Sequence, residues 1–143
     1  MQTDNRLIYL ISMAQQKLWT YLKTALRSEG IRVTPAQSGI LFLLKQENGR
    51  SMSELSKALS TDNSTITGLV DRMEKLGFVR RDASPTDRRM FRIYITPEGE
   101  EESNRAKTVI EKVNEEIKSG FSEKEIQIFK EVLCSVFEKF GNA

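Results

Sequence analysis

The sequence predicts a mainly α-helical chain with one small β-hairpin wing, in the order α-α-α-α-β-β-α-α. Three observations carry this. Apolar residues recur at three- and four-residue spacing over most of the 143 residues. Hydroxyl-led capping boxes stand at Thr34-Pro-Ala-Gln37, Ser51-Met-Ser-Glu54 and Ser122-Glu-Lys-Glu125. The helical spacing lapses over 78–96, where two β-like runs flank a polar loop around Pro85-Thr-Asp-Arg-Arg89.

The first helix is signalled by Leu7, Ile11, Ala14, Leu18, Leu22 and Ala25 and runs roughly from Asn5 to Arg27, with Gly30 beyond it. Thr34 caps a second helix with Pro35 at its first position. That helix runs through Leu44 with Ile40, Leu41, Leu43 and Leu44 toward the core, and Asn48-Gly49 breaks it. Ser51 starts a short third helix that buries Leu55, Ala58 and Leu59. Asp62 is the N-cap of a fourth, whose apolar face is Ile66, Leu69, Val70, Met73 and Leu76 and whose stop is Gly77. Phe78–Asp82 and Met90–Thr96 read as paired strands; in the second, Phe91, Ile93 and Ile95 face inward and Arg92 and Tyr94 outward. Thr96-Pro97 opens a fifth helix striped by Ala106, Ile110, Val113 and Ile117, which Gly120 ends. The last helix carries Ile126, Phe129, Leu133, Val136, Phe137 and Phe140, and stops at Gly141.

Composition narrows the function classes. The chain is 38% hydrophobic and 29% charged, which suits one soluble domain with a real core. No apolar run approaches the roughly 20 residues of a membrane span, and Met-Gln-Thr-Asp-Asn-Arg lacks a secretory leader, so a cytoplasmic protein without membrane association is expected. There is no histidine and one cysteine, Cys134. An internal disulfide, a cysteine-rich metal site and the commonest general base are thereby excluded. With no glycine-rich phosphate loop either, the expectation is no enzyme, no metal and no cofactor.

The net charge of +2 is unevenly placed. Residues 72–92 hold seven basic and three acidic groups, while 97–143 hold seven and eleven. A local basic patch suits a polyanion, although charge alone reads as readily as an ordinary solvated surface. Helix, turn, helix and basic hairpin together make a winged helix-turn-helix, which presents one helix to the major groove of DNA and a loop to the phosphates or minor groove. Residues 34–96 form this lobe within a single domain of 1–143. The helices of 5–28 and 97–141 lie outside it. The first and fifth are each roughly 30 Å long, and their apolar stripes exceed what so small a lobe can cover. A second copy of the chain is the expected cover, and a twofold dimer suits a pseudo-palindromic duplex.

The run Ser64-Thr-Ile-Thr-Gly-Leu-Val-Asp-Arg-Met-Glu-Lys-Leu-Gly-Phe-Val79, with Ser84-Pro-Thr-Asp-Arg-Arg89 and Ile93-Tyr-Ile-Thr-Pro-Glu-Gly99, resembles the MarR family of bacterial transcriptional regulators. The wing signature Asp87-Arg88-Arg89 is its most specific part, and the resemblance covers essentially the whole chain. It implies an obligate homodimer joined through the first, fifth and sixth helices. It also implies a regulator, usually a repressor, released by a small aromatic or amphipathic effector or by an oxidant.

Asn63, Ser64, Thr65 and Thr67 lie in the first turns of the fourth helix, off its apolar face, where they can reach base edges or phosphates; support of the cap is the plainer role for Ser64 and Thr65. Arg72 either binds phosphate or pairs with Glu54 or Asp71. Arg88 and Arg89 suit the narrow minor groove of A·T-rich DNA, and in the resembling family one wing arginine enters that groove. Asp87 orients an arginine. Arg80 and Arg81 are candidate phosphate contacts, one of which should point away because strand neighbours alternate. Gly68 departs from the family, many of whose members carry a long polar side chain there. It reads either as drift at a solvent position or as a changed operator approached more closely. Tyr9, Trp19, Tyr21 and Phe42 are candidates for the effector pocket that the family implies, against the commoner role of core aromatics. Peroxide-sensing members use a cysteine near the first helix, where this chain has none, and Cys134 reads as a small buried hydrophobe. The alternative function is a winged-helix protein-interaction module without sequence-specific DNA binding.

Overall fold

The computed structural model describes residues 6–87 and 89–141. Six helices and three short strands follow one another: α1 (Leu7–Ser28), α2 (Pro35–Gln46), β1 (Arg50–Ser51), α3 (Met52–Ala58), α4 (Asn63–Lys75), β2 (Val79–Ala83), β3 (Phe91–Ile95), α5 (Pro97–Lys118) and α6 (Glu123–Phe140). The expected start of the first helix, Asn5, lies outside the described residues. No helix among them is long and apolar enough to cross a membrane.

The chain divides into two compact units, Met1–Ile110 and Glu111–Ala143. In the first, α2, α3 and α4 pack around Ile40, Leu41, Leu44, Leu55, Ile66, Val70 and Met73, with Leu26 of α1 and Ile93 of β3 closing the cluster. All nine side chains are at most 1% exposed. Each such burial stabilises the fold by about 2 kcal/mol, so α4 is held on its inner face by Ile66, Val70 and Met73 and is free on its outer one.

Local signals set the helix ends. Thr34 and Gln37 cap α2 reciprocally, as their spacing predicts. Ser51 accepts the Glu54 N–H, but only this half of the box forms. Thr96 ties the start of α5 to the turn that ends α4: its hydroxyl donates to the Gly77 carbonyl at 2.6 Å and accepts the Gly99 N–H at 3.0 Å. Gly77 ends α4 with φ +83°, a left-handed conformation that few side chains tolerate.

The sheet has the order β1-β3-β2 and is antiparallel throughout. Val79 pairs with Ile95 and Ala83 with Phe91; Arg50 pairs with Ile93. Strand β1 was not expected. It has two residues and no apolar alternation, and exists because β3 offers a free edge beside it. Two inward assignments are corrected. Phe91 shares the face of Ile93 and Ile95 but sits at the far end of the hairpin, past the core, and is 47% exposed. Ala58 is exposed at the last turn of α3, where the chain leaves the core.

The second unit holds the end of α5 and α6. Gly120 turns the chain, and Ser122 and Glu125 form a complete capping box. No residue of α6 is buried; Phe129, Phe137 and Phe140 are 50%, 70% and 66% exposed. Cys134 is exposed too, which corrects its reading as a buried hydrophobe.

Candidate nucleic-acid interface

The site begins at the cap of α4. Asp62 Oδ1 accepts the Thr65 N–H at 2.7 Å and the Ser64 hydroxyl at 3.1 Å. The Thr65 backbone bond foremost, then the Thr65 and Ser64 hydroxyls, hold the Asp62 carboxyl below its ordinary value. Ser56, buried in α3, donates to Asn63 Oδ1 at 2.6 Å and so links the two helices of the motif. The Thr67 hydroxyl turns back to the Asn63 carbonyl at 2.8 Å. Asn63, Ser64 and Thr67 therefore each have a partner inside the protein, while Asn63, Ser64 and Thr65 stand exposed at the helix start.

Opposite the buried face, one stripe of α4 runs Ser64, Gly68, Arg72, Lys75, at spacings of four, four and three. Arg72 is exposed and, among the described residues, pairs with neither Glu54 nor Asp71, so of its two alternative roles the ion pair does not form: Asp71 is taken by Arg81. Lys75 extends the cationic end of the stripe. Sequence reasoning missed it, although its place three residues after Arg72 puts it on the same face.

The wing separates the two neighbouring arginines. The Arg81 guanidinium meets Asp71 through Nη2 and Glu74 through Nε at 3.6 Å, the latter an ion pair without a hydrogen bond. The Arg81 N–H also donates to Glu74 Oε2 at 3.2 Å. With 23% of its side chain exposed, Arg81 is a strut between wing and helix, its guanidinium turned to Asp71 and Glu74. Arg80 faces solvent, beside Asp82 at 3.1 Å and 4.9 Å above the Tyr94 ring. Gly49 fits against that same ring: a Cβ there would lie 2.9 Å from Tyr94, and its φ is +77°.

At the tip, Asp87 Oδ1 accepts the Arg89 N–H at 3.0 Å, and the Asp87 carbonyl accepts the Met90 N–H at 3.1 Å. Asp87 thus fixes the backbone that carries Arg89 and makes no bond to its guanidinium. Arg89 is exposed. Arg88 lies outside the described residues.

The four aromatics are exposed: Tyr9 45%, Trp19 49%, Tyr21 50% and Phe42 58%. Arg6 stacks over Tyr9 at 4.3 Å. An open hollow of about 530 Å³ on α1 includes Tyr21 with Met13, Gln16, Lys17, Thr20 and Thr24, and none of the other three.

Known proteins resemble this chain in sequence and fold. The model of the MarR family matches residues 33–91, the winged segment. The uncharacterized HTH-type transcriptional regulator YsmB of Bacillus subtilis (strain 168) is 35% identical over 104 residues, covering 73% of this chain and 71% of YsmB. The regulator PecS of Dickeya dadantii (strain 3937) is 32% identical over 123 residues, covering 86% and 70%. A Thauera aromatica protein named for regulation of the hcr operon is matched over only 62% of its length. Among solved structures, an Escherichia coli MarR mutant complexed with operator DNA superposes with a TM-score of 0.84 at 25% identity, over 92% of this chain and 94% of that one. The match across the winged segment, with a relative 35% identical over most of its length, places this chain in the MarR family of DNA-binding transcriptional regulators.

Proposed function

We propose that the chain acts as a homodimer that reads a pseudo-palindromic duplex, represses transcription there, and is released by a small aromatic or amphipathic effector. The observation that carries the reading is the pairing of two outward, cationic surfaces on one lobe. The outer stripe of α4 ends in Arg72 and Lys75, unpaired among the described residues, and the wing tip carries exposed Arg89 on a backbone fixed by Asp87. A helix of this width enters the major groove, and an arginine on a hairpin tip suits the narrow minor groove beside it. Asn63, Ser64, Thr65 and Thr67 contact base edges or phosphates; Arg72 and Arg80 contact phosphates; Arg88 and Arg89 serve the minor groove.

Pairing runs through α1, α5 and α6, a reading supported by exposed Leu10 and Ile11 of α1, by Ile117 of α5, and by Phe129, Phe137 and Phe140 of α6, all three at least half exposed. Exposed apolar surface on this scale marks an interface. Two copies related by a twofold axis would set two reading helices about one turn of DNA apart. Tyr9, Trp19, Tyr21 and Phe42 supply apolar, partly polar surface for an effector, and the names of relatives as repressors support the direction of control.

The test is selection from a randomised duplex library at moderate salt, followed by effector screening on the enriched site. An inverted repeat with half-sites about 10 base pairs apart is expected, with affinity falling steeply as salt rises. Retention of duplex without any enriched motif would overturn the reading.

A further inference from the structure

We propose that Gly68 is a specificity-determining position of the reading helix, a notch that admits the C5-methyl group of a thymine. The inference rests on the proposed reading of α4 as the major-groove helix. Gly68 lies in the interior of α4, which spans Asn63–Lys75, with Ser64 one turn before it and Arg72 one turn after it on the outer stripe. Glycine is among the poorest residues for a helix interior. Nothing inside the protein asks for it. Beyond its chain neighbours and its own stretch of helix backbone, a Cβ at Gly68 would meet no described atom within 4 Å, in contrast to Gly49 or Gly99, whose Cβ atoms would strike Tyr94 or the Phe78 carbonyl. Its backbone is ordinary right-handed helix, so no left-handed conformation requires glycine either.

A residue that weakens the helix and relieves no clash within the chain makes room for something outside it. What enters is limited by chemistry. Within a helix the Gly68 N–H and C=O are already bonded to their own turns, so the notch has no free donor or acceptor. It can offer only van der Waals contact. In the major groove the group recognised by apolar contact and shape is the thymine methyl; the other base edges there are read by hydrogen bonds. The notch is flanked by Ser64, whose hydroxyl is held by Asp62, and by the free Arg72, so the methyl contact falls between the helix start and a phosphate-binding cation.

Gly68→Ala and Gly68→Leu separate stability from reading. Both residues favour the helix over glycine, so both variants melt higher than the parent protein, by about 3 °C. Affinity for the site enriched by the parent protein falls in the opposite order, about tenfold for alanine and further for leucine. Library selection with the alanine variant loses a thymine at one position in each half-site. Replacing that thymine with uracil, which removes only the methyl, weakens the parent protein and leaves the alanine variant unchanged. Variants that melt higher yet enrich the same site with the same affinity overturn the proposal, as do variants that melt lower, because the fold itself would then need the glycine. A parent protein that enriches no motif removes the DNA-reading proposal itself, a result distinct from either of these.

Discussion

Arg81 of β2 pairs with Asp71 of α4, and the same guanidinium reaches Glu74 one turn along that helix. The wing is thereby fastened to the outer half of the reading helix by charge, where apolar contacts have run out. Arg81→Ala leaves two neighbouring carboxylates without their cation beside the outer stripe of α4. Stability should fall by about 1 kcal/mol, the scale of a partly exposed pair. Affinity should fall about tenfold, roughly 1.4 kcal/mol, because the wing no longer holds its angle to α4. The control is Arg80→Ala. Arg80 faces solvent and should serve a phosphate, so its loss lowers the slope of log affinity against log salt by about 1. Arg81→Ala should leave that slope near its original value. Titrations of both variants at several salt concentrations check the assignment; equal slope changes would put both arginines on phosphates.

Glu102 of α5 is 4% exposed and joins two parts of the first unit. Its Oε2 accepts the Arg32 N–H at 2.9 Å, and its Oε1 meets Arg105, which also donates to the Glu29 carbonyl at 2.8 Å. The segment between α1 and α2 is thus held to α5 by the Glu102 carboxylate and by the Arg105 guanidinium beside it. Glu102→Ala should cost about 2 kcal/mol, because a backbone donor loses its acceptor away from water. Glu102→Gln keeps an acceptor and should cost about half as much. Urea unfolding with an unchanged slope would report a true loss of stability. DNA affinity measured well below the melting temperature should not move, since none of these groups lies on the α4 stripe or the wing.

These two clusters mark where the sequence stops being readable. The caps at Thr34, Asp62 and Ser122 and the stop at Gly77 depend on residues three or four apart, and each forms as its spacing predicts. Alternation along β2 requires that one of Arg80 and Arg81 point away. It does not say which, because the deciding partner, Asp71, lies ten residues earlier on a helix whose approach only the packed core sets. Strand β1 is invisible for the same reason: its pairing with β3 spans more than forty residues. Phe91 fails differently. The alternation rule gives its face correctly but not how far the core extends beneath it, and at the end of the hairpin there is no core left. The outer stripe of α4 was legible in Ser64 and Arg72; the open space over Gly68 was not, since emptiness is a property of the neighbours.

The cap of the reading helix should make stability depend on pH in the acid range. Asp62 is held below its ordinary 3.8 first by the Thr65 N–H and then by the Thr65 and Ser64 hydroxyls, all of which favour the carboxylate. A carboxyl whose folded value is depressed stabilises the fold above its unfolded value, and that contribution disappears as pH falls through the folded value. The window therefore opens near 3.8 and extends downward. Asp62→Asn isolates it. Asparagine caps a helix about as well as aspartate but does not titrate. Other acidic groups, Glu125 among them, titrate alike in both proteins and cancel in the comparison. The melting temperature of the parent protein minus that of the variant should be positive near about pH 6 and should shrink by about pH 3. A difference that stays constant across that range would mean that the carboxylate charge adds nothing to the cap. The same substitution removes a negative charge from the start of α4. If that helix end faces phosphates, Asp62→Asn should bind the enriched duplex at least as tightly as the parent protein, although the parent is the more stable fold at neutral pH.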